Sequence, residues 1–505
     1  NRRSRGLGDV YKRQIQRTSL ANGGTSTELA TFTIKQFEYA DREIGDENTN
    51  PFPSFEGKRV NKVLFFRNRL AFLAGENVVL CRPGTLGRPD FFSETALTVS
   101  ANDPIDISCS SNFPSELFDG IDINSGLVVF SSNQQFLLSS DDTVLNPDTA
   151  KLRSISTFNY NKDIPPISLG TTVAYLDNSG KFSRFNEMAN IAREGEPNVV
   201  NQSQVVPTLI PKNVDLFTNS RENNLVLIGK TDSDEVQGFR YLNVGDKRQQ
   251  SAWFKWKFNN PLKYHFVIND EYYFLDTDNF LQEVRLVQTE SDPAIIQDNV
   301  DYLLHIDNHV EITGGQFDHP TNKTTFSGQN WLNSVTTPNY DLVVIDTNTA
   351  STRVGRYAKA TISGTSFTVP GDWSGASIFV GYLYEYKVLF PTFYLTQTQG
   401  ESARADVNSS LVIHRMKLHF GKIGLYETTL SRIGKNDYTE VYESTELDEY
   451  DVSDAPYVDE FIKTIPVYER NTNVDITLKS QHPAPSTLRA VSWEGDFSPK
   501  YYKRV

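Results

Sequence analysis

Cysteine is nearly absent from this chain of 505 residues, which holds only Cys81 and Cys109. That excludes a disulfide framework and a zinc site built on four thiolates, and leaves two small apolar side chains suited to a core. Methionine is as scarce, at two residues, and histidine stands at seven. No apolar run approaches the ~20 residues that a membrane-crossing helix requires, and no signal-peptide pattern is visible. Basic charge is short as well: 49 Lys and Arg against 63 Asp and Glu leave a net charge of −14. A protein that coats nucleic acid carries a basic face, so that class is excluded; DNA passing by without adhering is not. Phosphate loops, dinucleotide-binding glycine fingerprints and nucleophile elbows are all missing. His305 and His309 would sit ~13 Å apart on one straight strand. His414 and His419, five apart, point to opposite faces of theirs. Neither pair chelates a metal. Acidic pairs are common, but nothing marks one of them for glycoside hydrolysis. The chain therefore offers no catalytic, cofactor-binding or metal-ligating residue, and reads as a protein that is not an enzyme and carries no cofactor.

What the chain does have is strand-forming material. Phe (32) and Tyr (23) are abundant, and Val, Ile and Thr are frequent, a balance that favours strands over helices. The length points to two to four domains. Lys62–Arg82 reads as a three-strand meander broken at Arg67-Asn68-Arg69 and at a Gly75-Glu76-Asn77 turn, the first of the hairpin turns counted below, and too short to hold a helix, so its neighbours must be antiparallel. Hairpins of the same kind follow at Ser132-Asn133, Asn178-Ser179-Gly180, Asp232-Ser233-Asp234 and Asp276-Thr277-Asp278. From residues 76, 133, 178, 233 and 277 the intervals are 57, 45, 55 and 44. Four-stranded propeller blades repeat at roughly 40 to 50 residues, so five such beats predict a β-propeller. A two-sheet sandwich is the competing reading.

The expected fold is all-β, a propeller-like domain followed by smaller antiparallel β domains. Residues 1–14, with Arg2, Arg3, Arg5, Lys12 and Arg13 and no apolar period, are expected to be a non-native artefact. A polar lead-in covers 15–45, with one weak strand at Ala30–Ile34. The propeller-like domain covers 46–290, a β-rich inserted domain 291–405 and a C-terminal antiparallel, platform-like domain 406–505. Thr289–Asp298 and Thr396–Asn408 read as polar linkers. The last domain opens on a long strand, Leu411–Phe420, with Val412, Met416, Leu418 and Phe420 expected on one buried face. In Trp253-Phe254-Lys255-Trp256 the aromatics fall on both strand faces, which suits a buried strand or a wedge covered by a partner.

The block Phe65-Phe66-Arg67-Asn68-Arg69-Leu70, followed by Gly75-Glu76-Asn77 and an apolar strand, resembles the nozzle proteins (tail tubular protein B) of T7-like short-tailed bacteriophages. So do Asn102-Asp103-Pro104-Ile105-Asp106-Ile107, Arg248-Gln249-Gln250-Ser251-Ala252-Trp253 and Trp493-Glu494-Gly495. In order and spacing these blocks match the C-terminal two-thirds of that family over about residues 46–505. The positions carrying the resemblance are Phe66, Arg67, Asn68, Arg69, Gly75, Asn77, Asp103, Pro104, Asp106, Trp253, Trp493 and Gly495. They are expected to be structural, with the Arg67–Arg69 charges closing strand ends against carboxylates or carbonyls. The resemblance implies a structural protein at the virion's tail tip. Six copies would form a ring below the adapter protein (tail tubular protein A) and beside the tail fibre protein, with a channel that conducts and gates double-stranded DNA during ejection. The alternative function is a glycan-binding or polysaccharide-depolymerising β-propeller protein. The run Asp437–Glu460, which includes Glu446, Asp448, Glu449 and Asp451 and no Lys or Arg, is expected to be a solvated loop or to face that channel or a neighbouring ring.

Overall fold

The structure is a computed structural model. It describes residues 13–20, 30–36, 38–85, 88–111, 113–140, 144–192, 195–244, 247–286, 294–297, 300–333, 340–347, 355, 357–375, 377–399, 402–407, 409–443 and 460–499. Among them there is no α-helix; apart from short 3-10 turns the regular structure is antiparallel strand. The chain divides into two compact units, Asn1–Val287 and Gln288–Val505.

The first unit is a series of up-and-down meanders. Sheet 1 comprises Lys62–Phe66, Arg69–Ala74, Asn77–Leu80 and Ile105–Ser108. Sheet 2 comprises Leu117–Ile123, Gly126–Ser131, Gln135–Ser140 and Ala150–Ser156. Sheet 3 comprises Ile167–Ser168, Val173–Asp177, Arg184–Ala189 and Asn198–Asn201. Sheet 4 has six strands: Leu216–Ser220, Leu225–Gly229, Ser233–Val244, Lys247–Ile268, Glu271–Asp276 and Leu281–Arg285. Within each sheet the strands follow in chain order, with no Greek-key crossing. The first four expected turns are each the hairpin between the second and third strands of one sheet. The fifth, at Asp276–Asp278, opens no new sheet; it joins the last two strands of sheet 4. The beat misleads there because Lys247–Ile268 runs for 22 residues and bends, so one sheet spans two intervals. Past that bend the ladder with the third strand resumes, the Asp232 N–H donating to the carbonyl of Leu262 at 2.8 Å.

The turns follow from residue type. Arg67 and Asn68 take φ of 46° and 60°, the two left-handed positions of a type I′ hairpin. Gly75 takes φ 60° at the first position of the next turn.

Alternation along the strands then places side chains on two faces, and each face joins a different core. Leu73, Val78 and Leu80 of sheet 1 pack with Leu127, Val129 and Phe136 of sheet 2. Val128, Phe130 and Leu137, on the opposite face of sheet 2, pack with Val173, Tyr175 and Met188 of sheet 3. Ala174, Leu176 and Phe185 pack with Val226, Ile228 and Phe239 of sheet 4. The outer face of sheet 1 is covered by Phe55 and Phe91, and sheet 4 closes its own outer core by curling around Leu227, Val236, Leu262 and Tyr272. This stacked, propeller-like order is preceded by a two-stranded hairpin, Arg13–Leu20 with Ala30–Gln36. Arg13 and Gln14, set apart in the sequence reading, belong to its first strand.

The second unit contains two sandwiches. In the first, the sheet of Asp307–Ile312, Ile378–Tyr382, Leu342–Asp346 and Tyr357–Lys359 faces that of Gln316–Asp318, Lys323–Phe326, Ser366–Pro370 and Thr361–Ser363. Phe326, Phe367, Val344 and Val380 fill the space between. In the second, Tyr386–Leu389, Val474–Ser480, Leu425–Arg432 and Tyr438–Glu443 face Phe461–Arg470, Ser410–Ile423 and Ser486–Ser498. The first stretch expected to be a linker holds one strand of a small hairpin, Ala294–Gln297 with Val300–Leu303 beyond it, and the second contains another, Thr396–Gln399 with Ser402–Ala405.

One face assignment fails. The buried apolar residues of Ser410–Ile423 are Leu411, Ile413, Met416, Leu418, Phe420 and Ile423, so Val412 is on the other face. Both ladders shift register between Ile413 and Arg415. This β-bulge at His414 inverts the alternation upstream of it.

Candidate functional site

Nine of the resembling positions converge on sheet 1. Phe66 is buried in the core shared with sheet 2, and the exposed guanidinium of Arg67 lies 5.6 Å from the centre of its ring. Arg69 is 2% exposed. Its Nη1 donates to the carbonyls of Cys81 (3.0 Å) and Asp103 (2.7 Å), and its Nη2 to those of Ala101 (3.0 Å) and Leu145 (3.3 Å). One planar fork therefore ties the second strand of sheet 1 to the loop before its fourth strand and to sheet 2. Asp103 accepts the N–H groups of Ser100 (2.8 Å) and Glu94 (3.2 Å). Asp106 accepts from Asn77 Nδ2 (2.9 Å) and from the N–H and Oγ of Ser54 (each 2.7 Å). Gly75 and Asn77 thus shape the turn that Asp106 holds. Pro104 lines a groove of about 450 Å³ with Phe52 and Leu97.

A second cluster joins sheets 3 and 4. Trp253 donates from Nε1 to the Gln202 carbonyl at 3.1 Å, and its ring packs 4.8 Å from Phe239 and 5.6 Å from Phe185. Beside it Arg248 Nη2 meets Glu187 Oε1 at 2.7 Å, and the guanidinium lies 4.9 Å from the Tyr241 ring centre. The Glu187 carboxylate, almost wholly buried, also accepts from Thr172 Oγ1 (2.7 Å) and Gln202 Nε2 (2.8 Å). Burial pushes the Tyr241 hydroxyl pKa up. Phe254, Trp256 and Phe258 face the other way and pack on the curled core of sheet 4. Of the two readings of this aromatic strand, buried strand or partner-covered wedge, the structure shows it half-buried by sheet 4 itself.

The third cluster closes the second sandwich. Trp493 packs partly buried on its core. A Cβ on Gly495 would lie 2.2 Å from the Val412 carbonyl oxygen, so the strands can pair this closely only at glycine. Glu494 pairs with Lys417, which holds its carboxyl pKa low.

Among the described residues no three His, Cys, Asp or Glu side chains group to hold a metal ion. His305 Nδ1 meets Tyr384 OH at 3.0 Å, His419 Nε2 meets Ser492 Oγ at 3.0 Å and His414 Nε2 meets Asp496 at 3.2 Å. His309 packs 6.0 Å from the Phe379 ring. Cys81 and Cys109 are buried free thiols whose pKa values burial raises. The acidic positions Glu446, Asp448, Glu449 and Asp451 lie outside the described residues. At the ends of that run Glu440 pairs with Lys463, and Glu460 with Arg489 at 2.8 Å.

The family described as bacteriophage nozzle protein matches this chain over residues 17–504. The chain belongs to that family. A curated relative, the tail tubular protein gp12 of Escherichia phage T7, is 24% identical over 426 residues, covering 80% of this chain and 51% of that protein. The chain thus spans about half the length of the curated relative it matches. Likeness to solved structures is slight. Hsv2 of Kluyveromyces lactis has a TM-score of 0.29 at 9% identity, over 46% of this chain and 62% of its own. BamB of Moraxella catarrhalis has 0.25 at 13%, over 44% and 57%. An exo-β-1,3-galactanase of Phanerochaete chrysosporium has 0.22 at 9%, over 87% and 97%.

Membership in the nozzle family makes this a structural protein of a phage tail, located in the virion. For a nozzle-family chain the clusters above are joints between sheets. Sequence reasoning named Arg69 and Trp253 but missed Glu187, 61 residues before its partner Arg248. The local signal was slight, a carboxylate beside Met188 and Ala189 in the strand Arg184–Ala189.

Proposed function

We propose that this chain is a subunit of the distal ring of a short phage tail and that the ring conducts and gates double-stranded DNA during ejection, with no catalytic role. The carrying observation is the nozzle-family match across residues 17–504. In this reading the ring holds six copies, docks on the adapter protein above and lies beside the tail fibre protein. A stack of sheets joined by buried polar clamps suits such a wall, because its geometry is set by packed cores and an Arg fork rather than by loops. The acidic run, with Glu446, Asp448, Glu449 and Asp451, faces the channel, where carboxylates leave phosphates no counter-charge to bind.

The test is assembly. The full-length protein, mixed with its adapter ring, should sediment as a complex and image as a sixfold ring. A monomer with no affinity for the adapter at micromolar concentration overturns the proposal.

A further inference from the structure

The two sandwiches of the second unit meet at one loop, Gln481–Pro485, which belongs to the second and is inserted against the first. Ala484 is buried with Leu304, Ile306, Val343, Ile345 and Leu383 on the outer face of the first sandwich. Two backbone bonds clamp the loop from opposite sides: the His305 N–H donates to the Pro483 carbonyl, and the Gly424 N–H to the Pro485 carbonyl, both at 2.8 Å. At the centre is His482, 9% exposed. Its ring stands edge-on to Tyr357 of the first sandwich, 4.8 Å between centres at 87°. Gly424 of the second leaves it room, since a Cβ there would lie 2.8 Å from Nδ1.

The state of this ring is set by geometry. The Ala484 N–H donates to His482 Nδ1 at 3.0 Å, so Nδ1 must carry a lone pair and the ring must be neutral. A proton on Nδ1 would set one N–H against another and break the bond that shapes the loop. The groups facing it offer no compensation: Tyr357 from the Tyr357–Lys359 strand, Gly424 from the turn after Ser410–Ile423, and Ala484 from the loop itself. Across the joint His305 shares its Nδ1 with Tyr384, and Asp307 acts on Tyr384 rather than on His482.

We propose that the Gln481–Pro485 loop is an acid-opened latch between the two sandwiches, held shut by the neutral His482 ring. Burial lowers the pKa of His482 from 6.5 to about 4 and lowers that of His305 as well. The sign follows: the closed latch binds fewer protons than the open one between those values, so it is fully held above 6.5 and weakens as the pH falls towards 4. For His482 alone the opening equilibrium rises on the order of 100-fold between pH 7 and pH 4. This inference does not depend on the ring proposed above.

Hydrogen exchange on the full chain tests it, with rates corrected for the intrinsic pH dependence of amide exchange. The amides of His305, Gly424 and Ala484 should lose protection on the order of 100-fold from pH 7 to pH 4, while those of Leu418 and Ile476 in the ladders of the second sandwich hold theirs. His482→Asn, whose Oδ1 stands where Nδ1 stood as an acceptor for the Ala484 N–H and which cannot be protonated, should remove most of that dependence. Unchanged protection at the three amides, loss in step with Leu418 and Ile476, or a variant that follows the parent would each overturn the proposal. Should the variant not fold, NMR of the parent labelled at histidine Cε1 decides: one ring titrating near pH 4 in step with the opening supports the latch, and its absence refutes it.

Discussion

Replacing Arg69 with Ala should unfold the first unit early, for a reason specific to its four carbonyl partners. The buried guanidinium is held by four backbone carbonyls, those of Cys81, Ala101, Asp103 and Leu145. Burial, with the like charge of Arg82 nearby, depresses its pKa. A charged donor bonded to a buried acceptor contributes about 1.5–3 kcal/mol, and an acceptor left unsatisfied costs about 1–3. Water entering the vacated space satisfies part of the four, so the net loss is about 4 kcal/mol. Lys brings three donors on a single nitrogen and cannot span four acceptors set for a planar fork. Arg69→Lys should therefore lose about 2 kcal/mol. For a unit ending at Val287, with an unfolding entropy of about 2.1 cal/mol/K per residue, 4 kcal/mol lowers Tm by about 7 °C. Scanning calorimetry on the full chain reads this from the transition of the first unit. A shift below about 2 °C for Arg69→Ala, or equal shifts for Ala and Lys, would refute the reasoning.

Gly495→Ala puts a methyl 2.2 Å from the Val412 carbonyl and should destabilise the second sandwich by about 3 kcal/mol, read as a lower transition for the second unit with the first unchanged. Glu187→Gln and Arg248→Met should show a coupling of about 2 kcal/mol in a double-mutant cycle by urea denaturation, because each strands the other partner in a buried site; additive effects would mean that the pair is solvated. Replacing Glu446, Asp448, Glu449 and Asp451 with Lys should slow DNA ejection from assembled phage, most strongly at low salt, where the Debye length is long. Normal assembly with ejection at the parental rate would reduce that run to a solvated loop.

The strands were legible wherever turn chemistry and alternation agreed. Arg67-Asn68, Gly75-Glu76, Ser132-Asn133 and Asn178–Gly180 all fall between paired strands because each combines turn residues with two apolar runs. Val412 was misplaced because a bulge leaves no mark in composition: His414 looks like any outward residue until both neighbouring ladders skip it. The hairpins at 294–303 and 396–405 lie where the sequence shows no alternation of apolar and polar residues. Of the clusters, Arg69 was readable in kind, as a charge among apolar strands close to its own turn. Glu187 was not, since its partner lies in another sheet and only the fold brings the two together.

Because alternate residues along each strand of the two inner sheets go to different cores, neither sheet 2 nor sheet 3 owns a core of its own. Taking sheet 2 away would expose Leu73 and Leu80 on one side and Val173 and Tyr175 on the other, so neither neighbour survives its loss intact. The four meanders are modular in sequence and indivisible in energy. They should protect their amides as one cooperative block rather than as four. A duplicated or deleted meander would then have to supply both faces of a wall at once, which makes the number of sheets in this stack hard to change one at a time.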